Sequence, residues 1–245
     1  MREFSRMVKP SSYAPAFPHD PIQEIFPNVY FVHGSIKIGV RLRMNRNMVI
    51  VRQGNDLILI NPVRISDHEL VNLDMLGNVK HVLRLGDFHG LDDQFYIDRY
   101  KAQFWSQQGH ETYKELIPHQ TINAQAVPPI ADSEFFIFET AKYPEAALLI
   151  KPLKLLITTD SVQYWSDWSY FTPATKLIVK LMGFGLGLFI GGPWLKKVTP
   201  KGQSLKQDFV KLLSLDFDSL VAAHGQPLKS GAKYKLTKIV NETFN

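Results

Sequence analysis

Apolar positions along the chain come in short runs broken by polar turns. Val29-Tyr30-Phe31-Val32-His33 is the first, followed by Met48-Val49-Ile50-Val51 and Leu57-Ile58-Leu59-Ile60, with Gly54-Asn55-Asp56 between the last two. β-branched and aromatic runs separated by a Gly/Asn/Asp turn predict a hairpin. Asp67 to Leu76 predicts a helix, with Ser66 or Asp67 as N-cap and Gly77 as its stop. Val79 to Leu85 predicts a strand, Leu91 to Tyr100 a helix, Phe104-Trp105 a short strand and Glu111 to Leu116 a short helix. The second half repeats this order. Phe135 to Phe138 predicts a strand, and Ala146 to Ile150 and Leu153 to Thr158 a pair around Lys151-Pro152. A long irregular region is expected after Asp160. It is followed by a helix over Ser204 to Leu213, a strand over Leu220 to Ala223 and a final helix over Lys233 to Glu242. Hairpins followed by strand–helix units, twice over, suggest an α/β chain built as a four-layer αββα sandwich of two mixed β-sheets. Periodicity alone does not separate this from other mixed α/β folds. Residues 1–25, with prolines at positions 10, 15, 18 and 21, are expected to form an extended surface arm, leaving 26–245 as a single domain.

Composition narrows the chemistry. The 245 residues include eight histidines and no cysteine. That excludes disulfides, a thiol nucleophile and thiolate metal centres, so any metal must be held by imidazole and carboxylate. The net charge is +5 and the basic residues gather late, around Lys196 to Lys206 and Lys229 to Lys238. Charge without a recognition motif reads as a solvated face, and no nucleic-acid partner is expected. The first 21 residues contain no apolar h-region, so no signal peptide is read there and a cytoplasmic location is expected.

Three strand ends could carry chemistry. Leu85-Gly86-Asp87-Phe88-His89-Gly90-Leu91-Asp92-Asp93 crowds one His and three Asp onto a strand-to-helix turn. Leu156-Ile157-Thr158-Thr159-Asp160-Ser161 ends an apolar strand on a lone Asp, and Val221-Ala222-Ala223-His224-Gly225 ends another on a His–Gly turn. Strand ends opening into loops are where sites are usually built. Each residue also has a structural reading: Asp92 or Asp93 charging a helix N-terminus, Asp87 capping its turn, Asp160 bonding its own loop.

In this order the three segments resemble the metallo-β-lactamase superfamily, whose pattern is His-x-His-x-Asp-His, a mid-chain His, an Asp after an apolar strand and a His before Gly near the C-terminus. Asp160 stands in the bridging-Asp segment, His224 in the terminal His segment, and Asn61 where the family's second strand usually ends on Asp. The resemblance runs from about Phe26 to the C-terminus. It is nearest to a domain-of-unknown-function branch with an eroded first motif and a Gly/aromatic insert after the Asp. With His89 on the second motif His, Asp87 falls on the first, Leu91 on the Asp and Asp92 on the last His. A frame shifted by one matches Asp92-Asp93 to Asp-His and loses both earlier histidines. The mid-chain His is replaced by Lys142 or Tyr143. A full two-zinc site is therefore not expected. The resemblance implies at most one divalent ion (zinc, iron or manganese) at His89, Asp160 and His224, with Asp87 or Asp92 as ligand or general base. The competing reading keeps the fold and has no metal, the more so if Lys142 points into the cleft.

The last feature is an insert at about 164–200. Leu181 to Leu195 is fifteen residues without a charge, with five glycines and a proline. A membrane-spanning helix needs about 20 apolar residues, and this composition disfavours a helix. Three readings stay open: a lid packed over the cleft, a greasy entrance for an apolar or acyl substrate, or a membrane-surface or homo-oligomer contact through 177–197. Tyr143, Trp165, Trp168 and Phe184 are the candidate substrate contacts. The enzyme reading is hydrolysis of an ester, thioester, lactone or phosphoester with an apolar part. Its rival is a degenerate member that binds a lipid-like ligand, a membrane surface or another protein.

Overall fold

The predicted hairpin lies at the centre of a seven-stranded sheet. The computed structural model describes residues 13–109, 111–113, 115–181 and 184–244. In it β1 (Gln23–Phe26), β2 (Val29–Lys37), β3 (Arg43–Gln53) and β4 (Asp56–Ile60) pair antiparallel in sequence order. Gly54 turns the β3–β4 hairpin at φ 63°, a left-handed conformation that costs glycine little. Helix α1 (Asp67–Leu76) starts as expected, with Ser66 Oγ accepting from Glu69 N at 3.3 Å. It leads into β5 (Asn78–Leu83). Helix α2 (Asp93–Tyr100), β6 (Gln103–Ser106) and β7 (Gln120–Thr121) follow, and β4 to β7 pair in parallel.

The second half supplies β8 (Ser133–Ile137), β9 (Ala146–Ile150), β10 (Leu155–Thr158), β11 (Val162–Trp165), α3 (Pro173–Leu181), β12 (Gly187–Ile190), α4 (Gly192–Val198), α5 (Lys206–Ser214), β13 (Ser219–Ala222) and α6 (Ala232–Thr243). Its main sheet has the order β13-β10-β9-β8, with β13 parallel to β10. Three apolar layers hold the structure together. Phe31, Val49 and Ile58 of the first sheet meet Leu148, Ile157 and Val221 of the second. Leu70, Leu73 and Tyr96 of α1 and α2 cover the first sheet's outer face. Trp194, Phe209 and Leu236 of α4, α5 and α6 cover the second's. The four-layer αββα sandwich is the observed architecture.

Three expectations need correction. The region after Asp160 is not irregular. β11 and β12 pair antiparallel from Val162↔Ile190 to Trp165↔Gly187, with α3 in the connection. Glu111 to Leu116 forms no helix among its described residues, because the Glu111 and Thr112 amides donate to the Asp87 carboxylate instead. The two-residue β7 was not expected at all. Of the arm, residues 1–12 lie outside the described residues. From Tyr13 the chain runs over the outer helices: Tyr13 Oη donates to Asp98 at 2.7 Å, His19 Nε2 accepts from Ser66 N at 2.8 Å, and Ile22 N donates to Glu69 at 2.7 Å.

Candidate metal centre

His89, Asp160 and His224 arrive from three loops at the same edge of the two sheets, and each loop is fixed by buried polar contacts. The His89 loop joins β5 to α2. Arg84 Nε meets Asp93 Oδ2 at 2.6 Å across its base, and Arg46 Nη1 meets Asp92 Oδ2 at 2.8 Å, tying it to β3. Asn61, at φ 49°, accepts from Leu85 N at 3.0 Å. Asp160 follows β10 on a turn gathered by Glu145, whose Oε1 accepts from Thr159 Oγ1 at 2.8 Å, Asp160 N at 3.1 Å and Ser161 N at 3.0 Å. His224 follows β13 on a turn held by β3: Asn47 Nδ2 donates to Ala222 O at 3.0 Å and to Gly225 O at 2.7 Å, and Asn45 Oδ1 accepts from Gly225 N. Gly225 takes φ 79°, and a Cβ there would run into the Tyr164 carbonyl.

The three side chains converge. His89 Nε2 lies 3.2 Å from one Asp160 oxygen, and His224 Nε2 lies 3.2 Å from the other. One ligand atom from each falls within 4.8 Å of the others, the only such group of His, Asp or Glu among the described residues. Both histidines are buried and Asp160 is 15% exposed. His224 Nδ1 sits 2.8 Å from the Asn45 carbonyl, which can only accept, so Nδ1 carries the proton. With Nδ1 so engaged, Nε2 is the atom that His224 turns towards the carboxylate, and at that distance a proton or a cation lies between the two. Burial lowers the His89 pKa despite the pull of Asp160, which favours the neutral, ligating ring. Burial works to raise the Asp160 carboxyl, but His89 and His224 outweigh it and hold it well below the usual carboxylate range. Two imidazole nitrogens and one carboxylate oxygen make a donor set for a single divalent cation. A backbone carbonyl behind one ring is the outer support that metal-ligating histidines use.

The other candidates stand apart from this group. Asp87 accepts from Glu111 N at 2.8 Å and from Thr112 Oγ1 at 2.9 Å, and so ties that segment to the His89 loop. Asp92 is engaged by Arg46, and Asp93 by Arg84. Burial pushes both carboxyls up against the pull of those arginines. Lys142 is exposed, over the Tyr143 ring at 5.2 Å, and is not among the residues lining the adjoining cavity. Tyr143 does not line that cavity either but backs Phe88, which does, at 5.6 Å between centroids. Trp165, Trp168 and Phe184 all line it together with Asp160 and His224. Trp165 stacks on His224 at 6.4 Å and 12°.

Several supporting residues escape a motif search. Asn45, Arg46 and Asn47 are three consecutive polar residues buried in β3, and an unbroken polar run inside a strand was the signal available. Asn47 also lies 3.1 Å from His33 Nδ1, so His33 belongs to the scaffold behind His224. Glu145 is 1% exposed and its Oε2 has no partner among the described residues. Burial, and then the charge of Asp160, push its carboxyl up to about 8. A carboxyl whose folded pKa exceeds its unfolded value stabilises the fold below the ordinary Glu range and loses that contribution as pH rises towards the folded value. Chelator-stripped protein is therefore expected to lose Tm between pH 5 and pH 8. Glu145→Gln, which stays neutral and keeps an acceptor for the turn, should flatten that slope. Parallel slopes in thermal melts would remove this role from Glu145.

No family model matches the chain, and comparison with curated proteins gives no match. Solved structures do match it over nearly its whole length. The metallo-β-lactamase DIM-1, exposed to ceftazidime, aligns with a TM-score of 0.64 at 9% identity, covering 94% of this chain and 100% of that one. The metallo-β-lactamase FIM-1 from Pseudomonas aeruginosa, in its mono-zinc form, gives 0.64 at 8% identity over 94% and 98%. A metallo-β-lactamase from Erythrobacter litoralis gives 0.57 at 9% identity over 93% and 96%. The chain has the metallo-β-lactamase fold. Within that fold it carries a buried His89–Asp160–His224 group that could hold one metal ion.

Proposed function

We propose that the chain is a metal-dependent hydrolase with a single-ion centre of zinc, iron or manganese at His89, Asp160 and His224. Its substrate is an ester, thioester, lactone or phosphoester with an apolar part. One observation carries the reading: Asp160 and His224 also line a cavity of about 360 Å³ whose other walls include Phe88, Trp165, Trp168, Phe171 and Phe184. An apolar pocket with a few convergent polar groups is the usual form of a small-molecule site. A bound divalent ion would supply Lewis acidity and bring the ionisation of water near neutral pH. The chain's own residues do the rest. The aromatic walls exclude water and hold the apolar part, while Asn45 and Trp165 fix the His224 ring. Lys197 lines the same cavity, its Nζ 4.1 Å from the Phe88 ring centre, and offers a positive charge to an anionic group of the substrate or to charge building on the reacting oxygen. Asp87 and Asp92 are held by Thr112 and Arg46.

The test is hydrolysis of nitrophenyl esters of increasing acyl length, before and after chelation. Chelation should abolish the rate and the metal restore it. Trp168→Ala and Phe184→Ala should each lower kcat/KM for an octanoyl ester about tenfold, the effect of ~1.4 kcal/mol of lost apolar contact, and leave the acetyl ester nearly unchanged. Rates indifferent to chelation would overturn the hydrolase reading, and indifference to acyl length its apolar substrate.

A further inference from the structure

Two segments that contribute to the cavity wall also carry apolar side chains that face solvent. On α3, Leu177, Ile178 and Leu181 are exposed, Leu181 at 80%, while Thr175 is the residue the helix buries. At the tip of the β2–β3 hairpin, Ile38 and Val40 are exposed, Val40 at 91%. The two segments are joined: Thr172, at the start of α3, donates through N to Arg43 O at 3.3 Å and through Oγ1 to Arg41 O at 3.0 Å. Both reach the cavity, which Met44 of β3, Val179 of α3 and Phe184 line. Large exposed apolar side chains on two adjoining segments mark an interaction surface.

The surrounding charge says what fits. From Trp168 to Gln207 the chain has no Asp or Glu and six lysines, and from Ile25 to Asn55 it again has no acid. Exposed Lys37, Arg41, Lys176, Lys180, Lys196 and Lys197 belong to these stretches. A second copy brought against this face would set lysine against lysine. An anionic, partly apolar surface meets both the charge and the side chains. We propose that the α3 face and the β2–β3 hairpin tip dock the protein on an anionic phospholipid surface, with Leu177, Leu181 and Val40 entering the acyl boundary. No helix among the described residues is long and apolar enough to cross a membrane. This docking does not depend on the metal centre.

Flotation of the full chain with phosphatidylcholine vesicles, with and without one part in three of phosphatidylglycerol, tests it. The bound fraction should be about tenfold higher on the anionic vesicles and fall with added salt. Leu177→Asp/Leu181→Asp should reduce it to the phosphatidylcholine level with circular dichroism, metal uptake and any hydrolysis unchanged. Val40→Asp, on the other segment, gives an independent reading should the helix variant not fold. Absence of binding to anionic vesicles, or equal binding by the folded variants, would overturn the proposal. So would a concentration-dependent dimer that the variants abolish, which would assign the face to a second copy. Neither result touches the hydrolase reading, which rests on metal and rate.

Discussion

Titrated with zinc or manganese after chelator stripping, the wild-type protein will gain thermal stability, and the Asp160→Asn, His89→Ala and His224→Ala proteins will not. A ligand at 100 times its Kd stabilises the folded state by about 2.7 kcal/mol, and each kcal/mol moves Tm by roughly 2–4 °C in a chain of this size. The wild type should therefore rise by about 5–10 °C. Loss of an outer partner alone costs roughly 10–100-fold in metal affinity. Removing one of only three ligands should cost more than a hundredfold and erase the shift at the same metal concentration. Asp160→Asn is the cleanest variant because it keeps the shape between the two rings, 3.2 Å from each, while removing the charge and one acceptor oxygen. Elemental analysis of the purified proteins gives a second readout independent of any substrate. If the wild type takes up no metal, the hydrolase proposal falls and the metal-free alternative stands; if the variants shift with it, the ion is held elsewhere and the assignment to His89, Asp160 and His224 falls.

The sequence showed those three residues because each sits where an apolar strand runs out, and strand ends can be read locally. The β3–β4 hairpin and α1 were legible for the same reason: Gly54, Ser66 and Gly77 are punctuation that acts within a few residues. What the sequence hid is what depends on distant partners. β11 is four residues long and its partner β12 begins at Gly187, so no local alternation marks either. Glu111 and Thr112 leave the helix path because a carboxylate from position 87 takes their amides. Asp92 and Asp93 matched the first motif in two frames, and neither frame could reveal Arg46 and Arg84 waiting on β3 and just beyond β5. Glu145, one residue before the expected strand at Ala146, drew no reading of its own, and it lies under the Asp160 turn, where Gly86 leaves room for its carboxyl.

The deepest of those tertiary partners should give the largest stability effect. Arg84 is 1% exposed and Asp93 fully buried, and their 2.6 Å contact closes the base of the His89 loop. Arg84 also lies over the Phe104 ring at 5.0 Å and the Tyr113 ring at 5.5 Å. Breaking a buried pair by removing one partner leaves an uncompensated charge and costs about 3–5 kcal/mol. Arg84→Met should therefore lower Tm by roughly 6–20 °C, whereas Arg84→Met/Asp93→Leu, which removes both charges, should regain most of that loss. The pH dependence follows from the same contact. Burial already raises the Asp93 carboxyl, and Arg84 is what opposes it. Without Arg84 the folded variant keeps a proton that its unfolded chain releases in the ordinary carboxylate range. Its deficit against wild type will thus be smallest near pH 5 and grow as pH rises towards 8. Thermal melts of the chelator-stripped proteins measure both effects. A deficit below about 1 kcal/mol would mean that Arg84 contributes little to the fold, and one that does not change with pH that its contacts to the two aromatic rings rather than to Asp93 account for the loss. The loop presenting His89 would then draw its rigidity from the Arg46–Asp92 pair and from the contacts of Asn61 and Asp87.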